Sequence, residues 1–278
     1  MSTLNLMEDE DAASDRVAAP DLAEHIRIHG MWLSSDGSEG VRCELPGANL
    51  TYGGFLEADM SGAGLSAARL VKANLRESNF SAADLRGANL EAASMVNIRL
   101  AKACLVEANL YRVVSPGADF SDADLTSARL RSGNLLSAIF QRSQLAGADL
   151  SDANLAGATF KESVLDGANL SDAKLMMVDL SAASLKGADL SRAVLFGAML
   201  DDADLSDADL STAIGLTAAQ LERAFANTGT RLPLELDGAA MREAMPSSLP
   251  VEHGRRRKAI DTASSDASIP DEDQGYST

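Results

Sequence analysis

From Leu45 to Leu210 every fifth residue is Leu, Phe or Met, with Ser115 the single exception. No insertion breaks the register across that span. Two positions before each of these centres there is nearly always a small residue, as at Ala48, Ala58, Ala63, Ala68 and Ala73. One position before it Asp or Asn recurs, as at Asn49, Asp59, Asn74, Asp84 and Asn89. The unit reads A-(D/N)-L-x-x. Its inward positions alternate between two and three residues apart, whereas a helix needs a period of about 3.6 and a half-buried strand about 2. A chain that turns a corner every five residues points both the small residue and the centre inward. Asp and Asn then suit the turns, because their side chains bond nearby main chain and tolerate unusual φ/ψ.

The number of sides per coil is also readable. The centres that are not Leu fall in two of the four classes set by a 20-residue period. Met60, Phe80, Phe120, Phe140 and Phe160 share one class; Phe55, Met95 and Ser115 share the next. A four-sided coil of 20 residues stacks like on like. About eight coils result, roughly 40 Å long at the usual spacing between neighbouring strands. Composition agrees: 46% of residues are hydrophobic but only 4% aromatic, so the interior is a thin one filled by Ala and Leu.

Repeats such as Ala83-Asp84-Leu85, Ala88-Asn89-Leu90, Ala148-Asp149-Leu150 and Ala168-Asn169-Leu170 resemble the unit of the pentapeptide-repeat proteins. The resemblance covers residues 43–214 and implies an all-β fold, a right-handed quadrilateral parallel β-helix with short helical caps. It implies little about function, because that fold hosts many.

The flanks divide by pattern. Residues 1–20 and 237–278 are polar and without period, which predicts disorder. Residues 21–42 are read as a helical N-terminal cap and loop: Leu22, Ile26, His29 and Trp32 or Leu33 recur at helical spacing, with Gly30 weakening the helix near its end. Residues 215–236 are read as a capping helix and extension, with Thr217 capping a helix to about Asn227 anchored by Leu221 and Phe225. Such caps cover the open edges of a solenoid.

No phosphate loop, nucleophile elbow or clustered His/Cys site is recognisable, so no catalytic, cofactor or metal residue is assigned and a non-enzymatic protein is expected. His25 and His29 share a helix face, but further ligands for a metal are not evident beside them. Cys43 and Cys104 lie about three coils, roughly 14 Å, apart, beyond the reach of a disulfide. The acidic start lacks an apolar signal core and no run is long enough to span a membrane, so a cytoplasmic location is expected. The basic run Arg255–Lys258 reads as part of a solvated tail, and direct nucleic-acid binding is not expected.

Two surface features depart from the average. The net charge of −17 is uneven: residues 43–148 carry ten basic and ten acidic groups, residues 149–212 four and twelve. Asp149, Asp152, Asp172, Asp189 and Asp209 share one side, opposed by Arg192, and form a candidate anionic patch for a basic partner. The second feature is apolar. The residue after each centre points outward, and one corner reads Leu56, Arg76, Val96, Pro116, Leu136, Ala156, Met176 and Phe196, widened by Met177 and Val194. Bare strips of this kind are rare on monomers, so the candidate partner-binding residues are Leu56, Val96, Pro116, Leu136, Met176 and Phe196. Their occupant is a terminal segment of the chain, a second copy or another protein.

The reading these features favour is a protein-interaction module or scaffold, self-association through the strip included. The alternative comes from the resemblance: pentapeptide proteins associated with quinolone resistance act on DNA gyrase through an acidic rod similar to duplex DNA. Against that, the first coils here are neutral in sum, and no loop interrupts the repeats.

Overall fold

The computed structural model describes residues 15–236. From Glu44 to Val194, every fifth residue pairs in parallel with the residue twenty further on, from Glu44 with Gly64 to Val194 with Ile214. Each rung is a single residue long, so the solenoid is a ladder of isolated pairings joined by turns. The 20-residue, four-faced period read from the centres is thus the period of main-chain pairing.

The hydrogen bonds explain the repeat. In the unit centred on Leu125, the Leu125 N–H donates to Gln144 O on the next coil (2.7 Å) and the Ser127 N–H to Ala146 O (2.9 Å). The Ala128 N–H closes the turn onto Leu125 O (3.0 Å), and the Arg129 N–H reaches back to Ala108 O (2.9 Å). One N–H of the five, that of Thr126, has no main-chain acceptor. The Asp124 carboxylate takes it at 3.0 Å, and the Thr126 hydroxyl with it at 2.6 Å. Asp149 does the same for Ser151, Asn169 for Ser171 and Asp209 for Ser211. Asp or Asn before the centre therefore completes the main-chain accounting.

The turn assignment needs one correction. The Asp or Asn before each centre does not itself take the left-handed turn position; it braces the turn from the side. The residue two after each centre takes positive φ, whether Gly87 (62°), Glu57 (56°), Ala82 (56°) or Met177 (56°). Tight pairing to both neighbouring coils holds these residues in a region that costs about 1–2 kcal/mol outside glycine.

The interior matches the predicted stacking. Phe120, Phe140 and Phe160 lie parallel at 4.7 and 4.6 Å between centroids, and Phe80 meets Phe55 edge-on at 5.7 Å. Bulk is balanced locally. Gly53 makes room for Phe55: a Cβ there would lie 2.9 Å from the ring and 2.8 Å from Leu50 O. Ser115, fully buried, donates to Met95 O (3.3 Å); the larger Val113 stands two residues before it, where Ala is usual, and meets Gly133 on the next coil.

The N-terminal helix α1 spans Ala19–Ser34. It starts before residue 21, with Pro20 in its first turn, and continues past Gly30. Leu22 joins the core and Ile26 packs against it. Arg16 already pairs with Asn49 on the first coil, so ordered structure reaches into the stretch read as disordered. His29 is fully buried: its Nδ1 accepts from the Cys43 N–H (3.0 Å), its Nε2 faces Ser61 O (3.2 Å), and Trp32 stacks on it at 5.5 Å. Main-chain groups thus engage both ring nitrogens, which makes it a structural histidine.

At the other end, α2 is only Ala218–Leu221, with Thr217 and Gln220 forming a reciprocal cap. The helix predicted to about Asn227 stops there because the last coil needs acceptors. Leu205 N–H donates to Phe225 O and Leu210 N–H to Arg231 O, both at 2.7 Å. Phe225 therefore sits in the ladder, opposite Asp204, and Ala224 takes the buried place. The tail 237–278, including Arg255–Lys258, lies outside the described residues.

The packing sets two measurable outcomes. Asp124→Asn keeps the acceptor and leaves the chemical-denaturation midpoint near wild type, whereas Asp124→Ala lowers stability by about 1 kcal/mol. Burial also depresses the His29 pKa, countered in part by the Ser61 carbonyl and by Asp59 and Glu44, while Arg42 adds to the depression. The neutral ring is the folded form, so its contribution is full above the unfolded value of about 6.5 and fades as pH falls below it. Melting temperature is expected to drop between about pH 7 and pH 5 in wild type and to flatten in His29→Gln.

Candidate functional site

The repeat leaves three outward positions per unit: the residue before the centre and the two of the turn. Repetition turns each into a column running along the solenoid. The corner column that starts at Leu56 is where the apolar candidates stand. Leu56, Leu136, Met176 and Phe196 are exposed, at 54%, 44%, 39% and 55%. Val96 and Pro116 are half-buried in the same column. Arg76 separates Leu56 from the rest, so the continuous stretch runs from Val96 to Phe196.

The structure widens this stretch beyond the residues after the centres. Ile139 and Met199 are exposed on one flanking face, Val114 and Ile214 on the other, and Met177 in the turn itself. The Phe196 ring lies over Gly215 and the Met177 sulfur over Gly197, leaving no room for a Cβ at either glycine. Ile139, Met199 and Val114 escaped the sequence reading because each stands before a centre, where Asp or Asn is usual, and Ile214 because it lies beyond the last centre. Their signal was present: an apolar residue in a position that normally accepts a turn hydrogen bond.

The acidic candidates are more committed than their count suggests. Asp149 and Asp189 accept from Ser151 and Ser191. Asp152 pairs with Arg131 at 3.1 Å, Asp172 with Arg192 at 2.5 Å and Asp209 with Arg231 at 2.7 Å. Arg192 is therefore joined by Arg131 and Arg231 as counter-charge. The Arg192 guanidinium holds the Asp172 carboxyl below its ordinary value. These pairs are solvent-exposed and contribute little each. Asp189 stacks on Asp209 in the ladder, as the period predicts.

Arg69, Lys72, Arg112 and Arg129 are exposed in the first half of the same side. Among the described residues, none of the four has a carboxylate within ion-pair distance. Lys72 instead lies 5.6 Å from the centre of the Tyr52 ring and Arg112 5.1 Å from that of Tyr111. Averaging charge along the sequence hid this, because successive residues belong to different faces.

The chemistry elsewhere is sparse. Among the described residues no group of three or more His, Cys, Asp or Glu is placed to hold a metal ion, and no helix is long and apolar enough to cross a membrane. Cys43 and Cys104 are free thiols.

With the ladder and its columns in view, the chain can be compared with known proteins. The pentapeptide repeats model matches eight copies, over residues 58–95, 103–142, 143–176 and 173–211, more than half of the chain. The chain belongs to the pentapeptide repeat family. A right-handed β-helical solenoid is the fold of that family, and the described ladder agrees with it.

Among solved structures, the chain is similar to HetL, involved in heterocyst differentiation regulation in the cyanobacterium Nostoc sp. strain PCC 7120. Identity there is 31% over 78% of this chain and 92% of HetL, with a TM-score of 0.39. A pentapeptide repeat protein of the Arabidopsis thaliana thylakoid lumen is 27% identical over 46% of this chain and 84% of its own, TM-score 0.35. QnrB1, a plasmid-mediated fluoroquinolone resistance protein, is 17% identical over 76% and 95%, TM-score 0.42. No functionally curated protein matches the chain.

The thiols give a direct check of the inward and outward positions. Burial, with Glu44 adding to it, pushes the Cys43 thiol up to about 11, whereas Cys104 is half-buried on the outer ladder. Labelling native protein with a thiol-reactive disulfide reagent at about pH 8 is expected to modify Cys104 first. Cys43 reacts only after denaturant is added; equal rates at the two sites contradict its inward placement.

Proposed function

We propose that this chain is a non-enzymatic, cytoplasmic interaction module that docks another polypeptide along the apolar corner from Val96 to Phe196. The exposed Leu136, Met176, Met177 and Phe196 carry the reading, because contiguous apolar surface of this kind marks a binding face. The flanking columns carry Asn134 and Asn154 but also Arg99, Asp119, Lys174 and Asp179, two charges of each sign, so the face that fits is apolar at its centre and mixed in charge at its rim. The repeat supplies what a scaffold needs: a rigid ladder on which outer residues vary without touching the core.

A second reading rests on the acidic last coils and treats the solenoid as a DNA-like regulator of gyrase. The likeness to QnrB1 is in keeping with it, but Arg69, Arg112 and Arg129 interrupt the negative charge that such mimicry requires. A supercoiling assay with purified gyrase separates the two, and no effect at micromolar protein removes this second reading.

The double variant Leu136→Asp/Phe196→Asp tests the first. Both side chains are exposed, so the melting temperature is expected to stay within a few degrees of wild type. In quantitative capture from the native host, partners held by wild type are lost at least about tenfold. A variant that retains the same partners overturns the reading.

A further inference from the structure

One side of the solenoid changes sign half-way along. In the column before the centres, Arg69 and Arg129 stand in the first half, and Asp149, Asp189 and Asp209 in the second. The adjoining turn column repeats the division: Lys72 and Arg112 come first, Asp152 and Asp172 after. Arg192 runs against it in the acidic half, and in the column directly after the centres Glu91 and Arg131 stand in the basic half. We propose that this side binds a second copy of the chain, antiparallel, about a two-fold axis between the coil of Arg129 and the coil of Asp149.

The two halves match in register. Such an axis sets each coil of one copy against the coil equally far beyond the midpoint in the other. Arg129 then opposes Asp149, Arg112 opposes Asp172, and Arg69 opposes Asp209, in each case within the same column. Glu91 and Arg192 lie on opposed coils but in different columns, so Arg192 faces Ala92 and Glu91 faces Ser191, and neither meets a like charge. Every contact occurs twice in an isologous pair.

The basic half also has the chemistry of an incomplete contact. Arg69, Lys72, Arg112 and Arg129 are exposed cations without an ion pair among the described residues, in a chain of net charge −17. In the acidic half Asp149 accepts from the turn residue Ser151 and keeps lone pairs free for a cation, while Asp172 and Asp209, already paired with Arg192 and Arg231, share their carboxylates with the second copy. Charge complementarity of this kind fixes orientation and register more than it adds affinity. The interface is therefore sensitive to salt, since exposed charges are screened within about 8 Å at physiological ionic strength. The apolar corner lies across another face and stays open in such a pair.

Sedimentation of the full chain tests the pairing through a charge swap. Arg112 and Asp172 are about three coils, roughly 14 Å, apart within one chain, so the exchanged residues do not meet each other inside it. Wild type is expected to dimerise, and to weaken at least about tenfold when salt rises from about 50 to about 500 mM. Arg112→Glu and Asp172→Arg are each expected to weaken the dimer about tenfold or more, while their melting temperatures remain near wild type. An equimolar mixture of the two, and the double variant in one chain, recover it, because the exchanged charges again face their opposites across the axis.

A monomeric wild type at about 100 μM overturns the proposal, as does a mixture that fails to recover. Loss of the dimer in Leu136→Asp/Phe196→Asp, with Arg112→Glu unaffected, assigns self-association to the apolar corner and overturns it too. So does a monomer that binds a short duplex through Arg112, which gives the basic half to nucleic acid. Retention of the dimer in the corner variant supports it and leaves the fate of captured partners to judge the docking reading separately.

Discussion

The N–H of the residue after each centre is the group on which the structure turns. Four of the five N–H groups in a repeat find carbonyls on the same turn or on neighbouring coils. The fifth points along the turn with no carbonyl in reach, and the side chain two residues earlier answers it. A short acceptor is needed, so Asp and Asn recur where the ladder residue stands. The small residue and the Leu follow from the narrow interior that this turn leaves. Where a serine replaces the small alanine, as at Ser78, Ser143 and Ser163, its hydroxyl donates to the preceding centre's carbonyl, and burial is kept. The five-residue motif is one hydrogen-bond count written out repeatedly.

This division of labour frees the surface. The centre and the small residue hold the core, the Asp or Asn holds the turn, and the two turn residues hold nothing but their backbone angles. Even the left-handed turn position accepts Lys72, Glu77 and Arg112, because its φ is dictated by bonds to both neighbouring coils. Side chains at one turn position repeat coil after coil, so a column is a programmable strip. The apolar corner and the two-signed side are two such strips on one scaffold, and neither asks anything of the core.

The period, the four faces and the phenylalanine stack were legible because core positions recur at fixed intervals and like volumes must lie on like. The ends were less so. Thr217 signals a helix start, but the length of α2 depends on carbonyl acceptors demanded by Leu205 and Leu210, which belong to another coil. His29 was legible as a residue of the cap on one helix face with His25; its main-chain partners emerged only when Cys43 and Ser61 arrived from the first coil. The surface was legible in part. Leu136 and Phe196 announced themselves by falling after a centre, whereas Ile139 and Met199 lay in a position reserved for polar residues. Charge was the least legible, since neighbours in sequence face different ways and a segment average mixes four faces.

The fold itself does not require charge at the ladder position. It needs an acceptor there, and Asn169 supplies one between Asp149 and Asp189 without adding charge. Asp189 and Asp209 bring two carboxylates one rung apart, an arrangement that costs stability and that an asparagine at either place relieves. The same column accepts Arg69 and Arg129, which make no turn bond of that type to the N–H two residues on. The fold is therefore indifferent to the sign of these residues and slightly opposed to their repetition. The pattern is what the proposed pairing with a second copy would use, a surface that meets charges of the opposite sign.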